Sequence, residues 1–171
     1  MGKSILFTGG ARSGKSRLAE ARVLDELGTP IYIATAQARD DEMAARIAAH
    51  QARRGPTWQT LAEPLDLTGA LDRTDAQGPR LIDCLTLWLS NLFEAERDWQ
   101  CETDKLLETL EKQTAPVVFV TNEIGLGIVP EHPLSRKFRD AQGTLNQAIA
   151  AAVDEVYLAV AGYPLKVKPN A

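Results

Sequence analysis

The chain has 171 residues, of which 44% are hydrophobic and 25% charged, the balance of an ordinary globular domain with one sizeable core. Its 19 lysines and arginines are outnumbered by 23 aspartates and glutamates, which argues against nucleic acid or an anionic membrane as partner and requires any polyphosphate ligand to be held by a local site. Cys84 and Cys101 lack metal or redox spacing and read as reduced thiols of a cytoplasmic protein, and the apolar run Ile5-Leu6-Phe7 is too brief for a signal-peptide core or a membrane span.

In chain order, Ser4 to Thr8 is a short apolar run that stops at glycines. Ser16 to Leu27 follows, with Leu18, Ala19, Val23, Leu24 and Leu27 at helical spacing. Gly28-Thr29-Pro30 breaks that helix, and Ile31 to Ala34 reads as a buried strand of a parallel sheet. A second helix is expected from about Asp40 to Arg53, with Met43, Ile47 and Ala48 on its apolar side and acidic residues at its dipole-favoured start. Leu65 to Gly78 is acidic and turn-rich and reads as a surface excursion. Strands at Arg80 to Asp83 and Val117 to Val120 flank a helical stretch from Leu85 to about Thr114, interrupted near Asp98. A helix from Leu134 to Ala152 and a last strand from Glu155 to Val160, closed by Gly162 and Pro164, complete the pattern. Strands alternating with helices predict a three-layer α/β sandwich on a mainly parallel sheet, of the phosphate-loop nucleotidase kind, with residues 1–171 as one domain.

Between the first strand and first helix lies Gly9-Gly10-Ala11-Arg12-Ser13-Gly14-Lys15-Ser16, a phosphate-binding loop in its proper context. Such a loop wraps backbone N–H groups around phosphate oxygens at the positive end of a helix. Lys15 adds a compact charge, and the Ser16 hydroxyl is a ligand for Mg²⁺ (or Mn²⁺). Asp83, ending its strand, is placed to hold that cation or its water beside the β- and γ-phosphates; the alternative is that it caps the next helix through Leu85 or Thr86. These residues indicate a nucleotide enzyme or switch and name no substrate.

Of the two histidines, His50 lies on the second helix four residues after Arg46, so the two share a face, and Arg53 and Arg54 follow closely. A neutral imidazole is a competent nucleophile toward phosphorus, and neighbouring guanidinium groups bind phosphate oxygens as a planar fork. The same features suit a solvated helix end. His132, between Glu131 and Pro133, reads as a loop bystander.

Several blocks taken together resemble the bifunctional adenosylcobinamide kinase/adenosylcobinamide-phosphate guanylyltransferase family of cobalamin biosynthesis: Thr8 to Ser16, Tyr32 to Gln37, Asp41 to Ile47 with His50, Trp58 to Thr60 with Glu63-Pro64, Leu81 to Asn91, and Thr121 to Pro130. The resemblance continues through Phe138-Arg139-Asp140 to Gly162 and Lys166. It implies two reactions. The hydroxyl of the aminopropanol arm of adenosylcobinamide takes the γ-phosphate of ATP or GTP; GTP then gives GMP to that new phosphate, releasing pyrophosphate, through a GMP–histidine intermediate at His50. By the same resemblance the nucleotide-binding positions are Gly9, Gly10, Ala11, Arg12, Ser13, Gly14, Lys15, Ser16, Ala34, Thr35, Ala36, Gln51, Ala52, Arg53, Arg54, Glu63 and Asp83. A homo-oligomer, a trimer, with a corrinoid site between subunits is also implied. The rival readings are a small-metabolite kinase that forms no histidine adduct and a non-catalytic nucleotide switch.

Overall fold

Successive residues of the central strands are buried on opposite faces of one sheet. Leu6, Ile31, Ile33, Ile82, Val117 and Phe119 belong to one apolar cluster, whereas Ile5, Phe7, Tyr32, Leu81, Val118 and Val120 belong to another. This two-residue alternation, apolar on both sides, is what a parallel sheet covered by helices on both faces demands. The computed structural model describes residues 2–169, with the side chain of Arg46 outside the described residues.

The strands are β1 (Ser4–Thr8), β2 (Ile31–Ala34), β3 (Gln59–Ala62), β4 (Arg80–Asp83), β5 (Val117–Val120), β6 (Glu155–Val160) and β7 (Tyr163–Lys168). The helices are α1 (Lys15–Leu24), α2 (Asp41–Arg54), α3 (Leu67–Thr74), α4 (Leu85–Glu94), α5 (Trp99–Leu110) and α6 (Pro133–Ala152). The sheet runs β3-β2-β4-β5-β1-β6-β7, with every neighbouring pair parallel except the antiparallel β6–β7. Residues of α3, α4, α5 and α6 pack on the first face, and Ala19 and Val23 of α1 on the second. The α/β sandwich expected from the sequence is therefore present. Among the described residues no helix is long and apolar enough to cross a membrane.

Local departures from the sequence expectations have physical reasons. The region expected to be a surface excursion contains α3, which buries Leu67, Ala70, Leu71 and Thr74; that is one stripe at helical spacing, started by the Asp66 carboxylate accepting from the Gly69 amide at 2.9 Å. Glu155–Val160 is not the last strand: the chain turns at Gly162 and returns as β7, whose Pro164 is tolerated at the sheet edge. The edge strand β3 was not foreseen either. Helix α1 stops at Leu24, so Leu24 and Leu27 are exposed rather than packed, and Ala48 of α2 is exposed as well. His132 is not a loop bystander: it is the N-cap of α6, its Nδ1 accepting from the Leu134 amide at 3.3 Å.

Candidate active site

Register alone puts the working ends of four strands in a row. Ala34 pairs with Asp83, Asp83 with Val120, and Val120 with Phe7, so the phosphate-loop strand β1 and the carboxylate strand β4 are separated only by β5, roughly 10 Å across. Beyond this row the loop of residues 9–14 joins β1 to α1, as expected from the sequence.

The loop is shaped by positive φ angles. Gly9 has φ 156°, and a Cβ there would meet Ser13 Oγ at 2.6 Å and the Ala159 carbonyl oxygen at 2.8 Å. Gly14, at φ 92°, is the N-cap of α1, where a Cβ would stand 3.0 Å from Gly162 Cα. The β6–β7 turn backs the loop: the Gly162 amide donates to Ser13 O at 2.8 Å, and an Arg17 Nη donates to Gly162 O at 3.0 Å. Lys15 is buried and its ammonium donates to Gly10 O at 3.0 Å. Burial lowers its pKa, an effect opposed by Cys84 and Asp83.

The loop opens into a cavity of about 320 Å³ lined by Lys15, Ser16, Tyr32, Ala34, Ala36, Met43, Ile47, His50, Gln51, Arg54, Asp83, Cys84, Leu87 and Asn122. Met43, Ile47, His50 and Arg54 fall at positions i, i+4, i+7 and i+11 of α2, so one stripe of that helix faces the phosphate loop. Asp40 starts the helix, its carboxylate accepting from the Met43 amide at 2.7 Å. His50 Nδ1 and Arg54 Nε and Nη1 are buried and have no hydrogen-bond partner among the described residues. Buried polar atoms without partners cost free energy, and such groups at a cavity wall are disposed to receive a polar ligand.

The sequence-derived positions separate into those the fold brings together and those it does not. Lys15, Ser16, Ala34, Ala36, His50, Gln51, Arg54 and Asp83 share the cavity. Thr35 lies just behind it, exchanging hydrogen bonds with the backbone of Cys84 at 2.8 and 2.7 Å, while Asn91 donates to Thr35 O at 2.9 Å. Arg53 points elsewhere, one Nη lying 2.7 and 2.8 Å from the two carboxylate oxygens of Glu20, and Ala52 is exposed. Glu63 also lies outside the cavity, its carboxylate accepting from the amides of Leu65 at 3.2 Å and Asp66 at 2.9 Å and pairing with Arg73. The expected pairing of Arg46 with His50 falls on a side chain outside the described residues.

Asp83 does not cap α4, whose N-cap is Cys84 without a side-chain hydrogen bond. Its Oδ2 instead accepts from the Tyr32 hydroxyl at 3.0 Å. Burial, reinforced by the Asp83 charge, raises the Tyr32 pKa far above the usual phenol range, so the hydroxyl stays protonated and is the donor. Cys84, likewise in the cavity wall, has its thiol pushed up to about 12, chiefly by burial and then by Asp83; it is no nucleophile near neutral pH. Sequence reasoning missed Tyr32, Met43, Ile47, Cys84, Leu87 and Asn122 as cavity residues; the i, i+4, i+7 spacing from Met43 through Ile47 to His50 was the available signal.

Ser16 and Asp83 are the oxygen donors that face the cavity from α1 and β4. Among the described residues no group of three or more His, Cys, Asp or Glu is placed to hold a metal by itself. One hydroxyl and one carboxylate fit a Mg²⁺ ion that takes its remaining ligands from nucleotide phosphates and water.

The description "cobinamide kinase / cobinamide phosphate guanyltransferase" belongs to the family model that matches residues 5–167. The bifunctional adenosylcobalamin biosynthesis protein CobP of Pseudomonas aeruginosa is 49% identical over 168 residues, covering 95% of this chain and 96% of the relative. Its counterpart CobU of Salmonella typhimurium is 44% identical over 183 residues, covering 96% and 99%. Among solved structures, an ATPase of the type III secretion system of pathogenic bacteria aligns with TM-score 0.56 at 13% identity, covering 92% of this chain and 51% of that one. The flagellar accessory protein FlaH of Methanocaldococcus jannaschii aligns with TM-score 0.52 at 11% identity, covering 91% and 70%. At these identities the structural likeness shows the fold alone. The extent of the sequence match decides the family: the chain belongs to the cobinamide kinase/cobinamide phosphate guanyltransferase family.

Proposed function

We propose that the chain phosphorylates the aminopropanol hydroxyl of adenosylcobinamide with ATP or GTP, and then transfers GMP from GTP to the new phosphate through a GMP–histidine intermediate on His50. The observation that carries this reading is one cavity lined by Lys15 and Ser16 and by His50 and Arg54, whose Nδ1 and whose Nε and Nη1 have no partner among the described residues. Family membership supports the substrate class.

In the first reaction, Lys15 and the amides of residues 9–14 hold the phosphates and absorb charge as the acceptor hydroxyl reaches the γ-phosphorus in line: the O–P bond forms, the β–γ anhydride bond breaks, the nucleoside diphosphate departs and the hydroxyl proton is lost to solvent. Ser16 and Asp83 would hold a Mg²⁺ ion, which would neutralise phosphate charge there. In the second, an imidazole nitrogen of His50 attacks the α-phosphorus. The P–N bond forms as the α–β anhydride bond breaks, and pyrophosphate departs. A phosphate oxygen of adenosylcobinamide phosphate then attacks the same phosphorus, the P–N bond breaks, and His50 is regenerated. The buried Arg54 donors, without partners among the described residues, suit the oxygens of the phosphate under attack once the end of α2 shifts to admit them. Presenting γ-phosphorus to one nucleophile and α-phosphorus to another requires α2 to move or the nucleotide to bind in two ways.

The unpaired thiols of Cys84 and Cys101 support a cytoplasmic location. We read the assembly as a homo-oligomer, a trimer in the arrangement that the family resemblance implies. The loop after β5 supports association, with Leu126 90% and Ile128 98% exposed; a monomer by light scattering contradicts it. The function is tested by incubating the protein with adenosylcobinamide, GTP and Mg²⁺. Successive formation of adenosylcobinamide phosphate and adenosylcobinamide-GDP, with pyrophosphate, is expected. Phosphorylation alone selects the simple kinase, and no reaction selects the switch.

A further inference from the structure

Tyr32 takes no part in either reaction as written above, yet it touches a residue of each. On β2 it is 6% exposed, its ring and that of Trp58 forming a T-shaped pair at a centroid distance of 6.2 Å and an interplanar angle of 83°. Its hydroxyl donates to Asp83 Oδ2 at 3.0 Å, and Asp83 makes no other side-chain hydrogen bond among the described residues. The face of its ring carries the Arg54 guanidinium, whose Cζ lies 3.4 Å from the ring centroid. Arg54 stands one turn after His50 at the end of α2.

The manner in which Arg54 is held differs from that of its neighbour. Arg53 is fixed by an ion pair, which consumes donors and neutralises charge on Glu20. Arg54 is fixed through its π face instead, which leaves Nε and Nη1 without partners among the described residues. Stacking orients a planar cation without occupying its N–H edge. Held in this way, a guanidinium keeps its donors for a phosphate, where a carboxylate partner would take up part of them.

We propose that Tyr32 is a positioning residue that couples the two halves of the site. Its hydroxyl holds one oxygen of Asp83 and so aims the other at the cation position, while its ring seats Arg54 and with it the last turn of α2 that bears His50. This rests on the function proposed above. The two roles belong to different atoms of one side chain and can be separated.

The test compares Tyr32→Phe, which keeps the ring and loses the hydroxyl, with Tyr32→Leu, which loses both. Mn²⁺ binding in the presence of GTP is measured by electron paramagnetic resonance, metal-free GTP binding by calorimetry, and the acid-labile GMP adduct by α-phosphate label. Tyr32→Phe is expected to bind Mn²⁺ roughly tenfold more weakly, the usual effect of losing a partner that orients a metal ligand, with a smaller loss in metal-free GTP affinity. Its adduct deficit should shrink as Mn²⁺ is raised. Tyr32→Leu is expected to lose metal-free GTP affinity as well and to keep its adduct deficit at saturating Mn²⁺. Circular dichroism checks folding, and Tyr32→Met replaces the leucine variant if that does not fold. Wild-type Mn²⁺ affinity in Tyr32→Phe, or equal adduct in the ring-keeping and ring-deleting variants at saturating Mn²⁺, overturns the proposal. Failure of the functional reading is distinguishable, because the wild-type protein itself would then form no adduct, leaving the two binding measurements to decide on Tyr32.

Discussion

Gly9→Ala and Gly10→Ala differ by one position in the phosphate loop and are expected to behave differently. At Gly9 the added methyl would sit 2.6 Å from Ser13 Oγ and 2.8 Å from the Ala159 carbonyl oxygen, at a φ of 156°. The hydroxyl can rotate away, but the carbonyl belongs to β6, which is paired to β1 and β7. A side chain in this sparsely populated backbone conformation costs about 1–3 kcal/mol, and forcing a methyl into filled space about 1–3 kcal/mol, so a loss near 3 kcal/mol is expected. For a chain of this length that lowers Tm by about 6–12 °C. The Gly9 carbonyl also accepts from the Glu123 amide at 3.0 Å, so a displaced loop disturbs the segment after β5, and GTP affinity should fall at least about tenfold. At Gly10 an added Cβ meets nothing within 4 Å, and stability should stay within about 0.5 kcal/mol of wild type. Urea unfolding followed by circular dichroism, with and without GTP, makes the comparison. Equal stability of the two variants would refute the steric reasoning.

Lys15→Ala removes a buried point charge at the loop and should abolish most phosphoryl transfer while the fold persists; near-normal transfer in a kinase assay would contradict the assignment of the loop. Asp75 accepts from the Thr114 and Ala115 amides at 2.8 and 3.0 Å and pairs with the fully buried Arg80 at 3.0 Å. Burial alone would raise its pKa, but the Ala115 and Thr114 donors and Arg80 hold it well below the usual carboxylate range. A depressed folded-state pKa contributes stability that is present above the unfolded value of about 3.9 and lost as pH falls below it. Wild-type stability should therefore decline from about pH 5 downward, and Asp75→Asn should be less stable at pH 7 and show a shallower acid decline in thermal melts. His132→Ala removes the α6 cap and should cost about 1 kcal/mol while leaving both catalytic rates near wild type, which steady-state kinetics on the two reactions would check.

The parts of the fold most legible in sequence were those with strong local signals. The glycines around Lys15, the continuous apolar strands and the break near Asp98 all correspond to structure, because each reflects a local backbone requirement. The strands at the sheet edges were not legible, since Gln59–Ala62 is short, half polar and mostly exposed and Tyr163–Lys168 contains a proline. Helix α3 carried the right spacing in Leu67, Ala70, Leu71 and Thr74, but Gly69 and the surrounding acidic residues obscured it. In the site, Lys15 and Ser16 were marked by the phosphate-loop motif, whereas His50 was singled out by the family resemblance, its residue type and neighbours suiting a solvated helix end equally well. The Tyr32–Asp83 contact spans 51 positions and the Arg53–Glu20 pair 33. Neither has a local signature, and only the sheet order and the docking of α2 bring them together.

The central claim is that one cavity serves two chemistries and that His50 belongs to only one of them. Its most direct test is to incubate wild-type and His50→Asn protein with GTP labelled on the α-phosphate, trap the protein, and measure phosphorylation of adenosylcobinamide in parallel. The account predicts acid-labile label on the wild type, none on His50→Asn, and phosphorylation retained by both. Label retained on His50→Asn, or loss of phosphorylation together with the label in a folded variant, would contradict it.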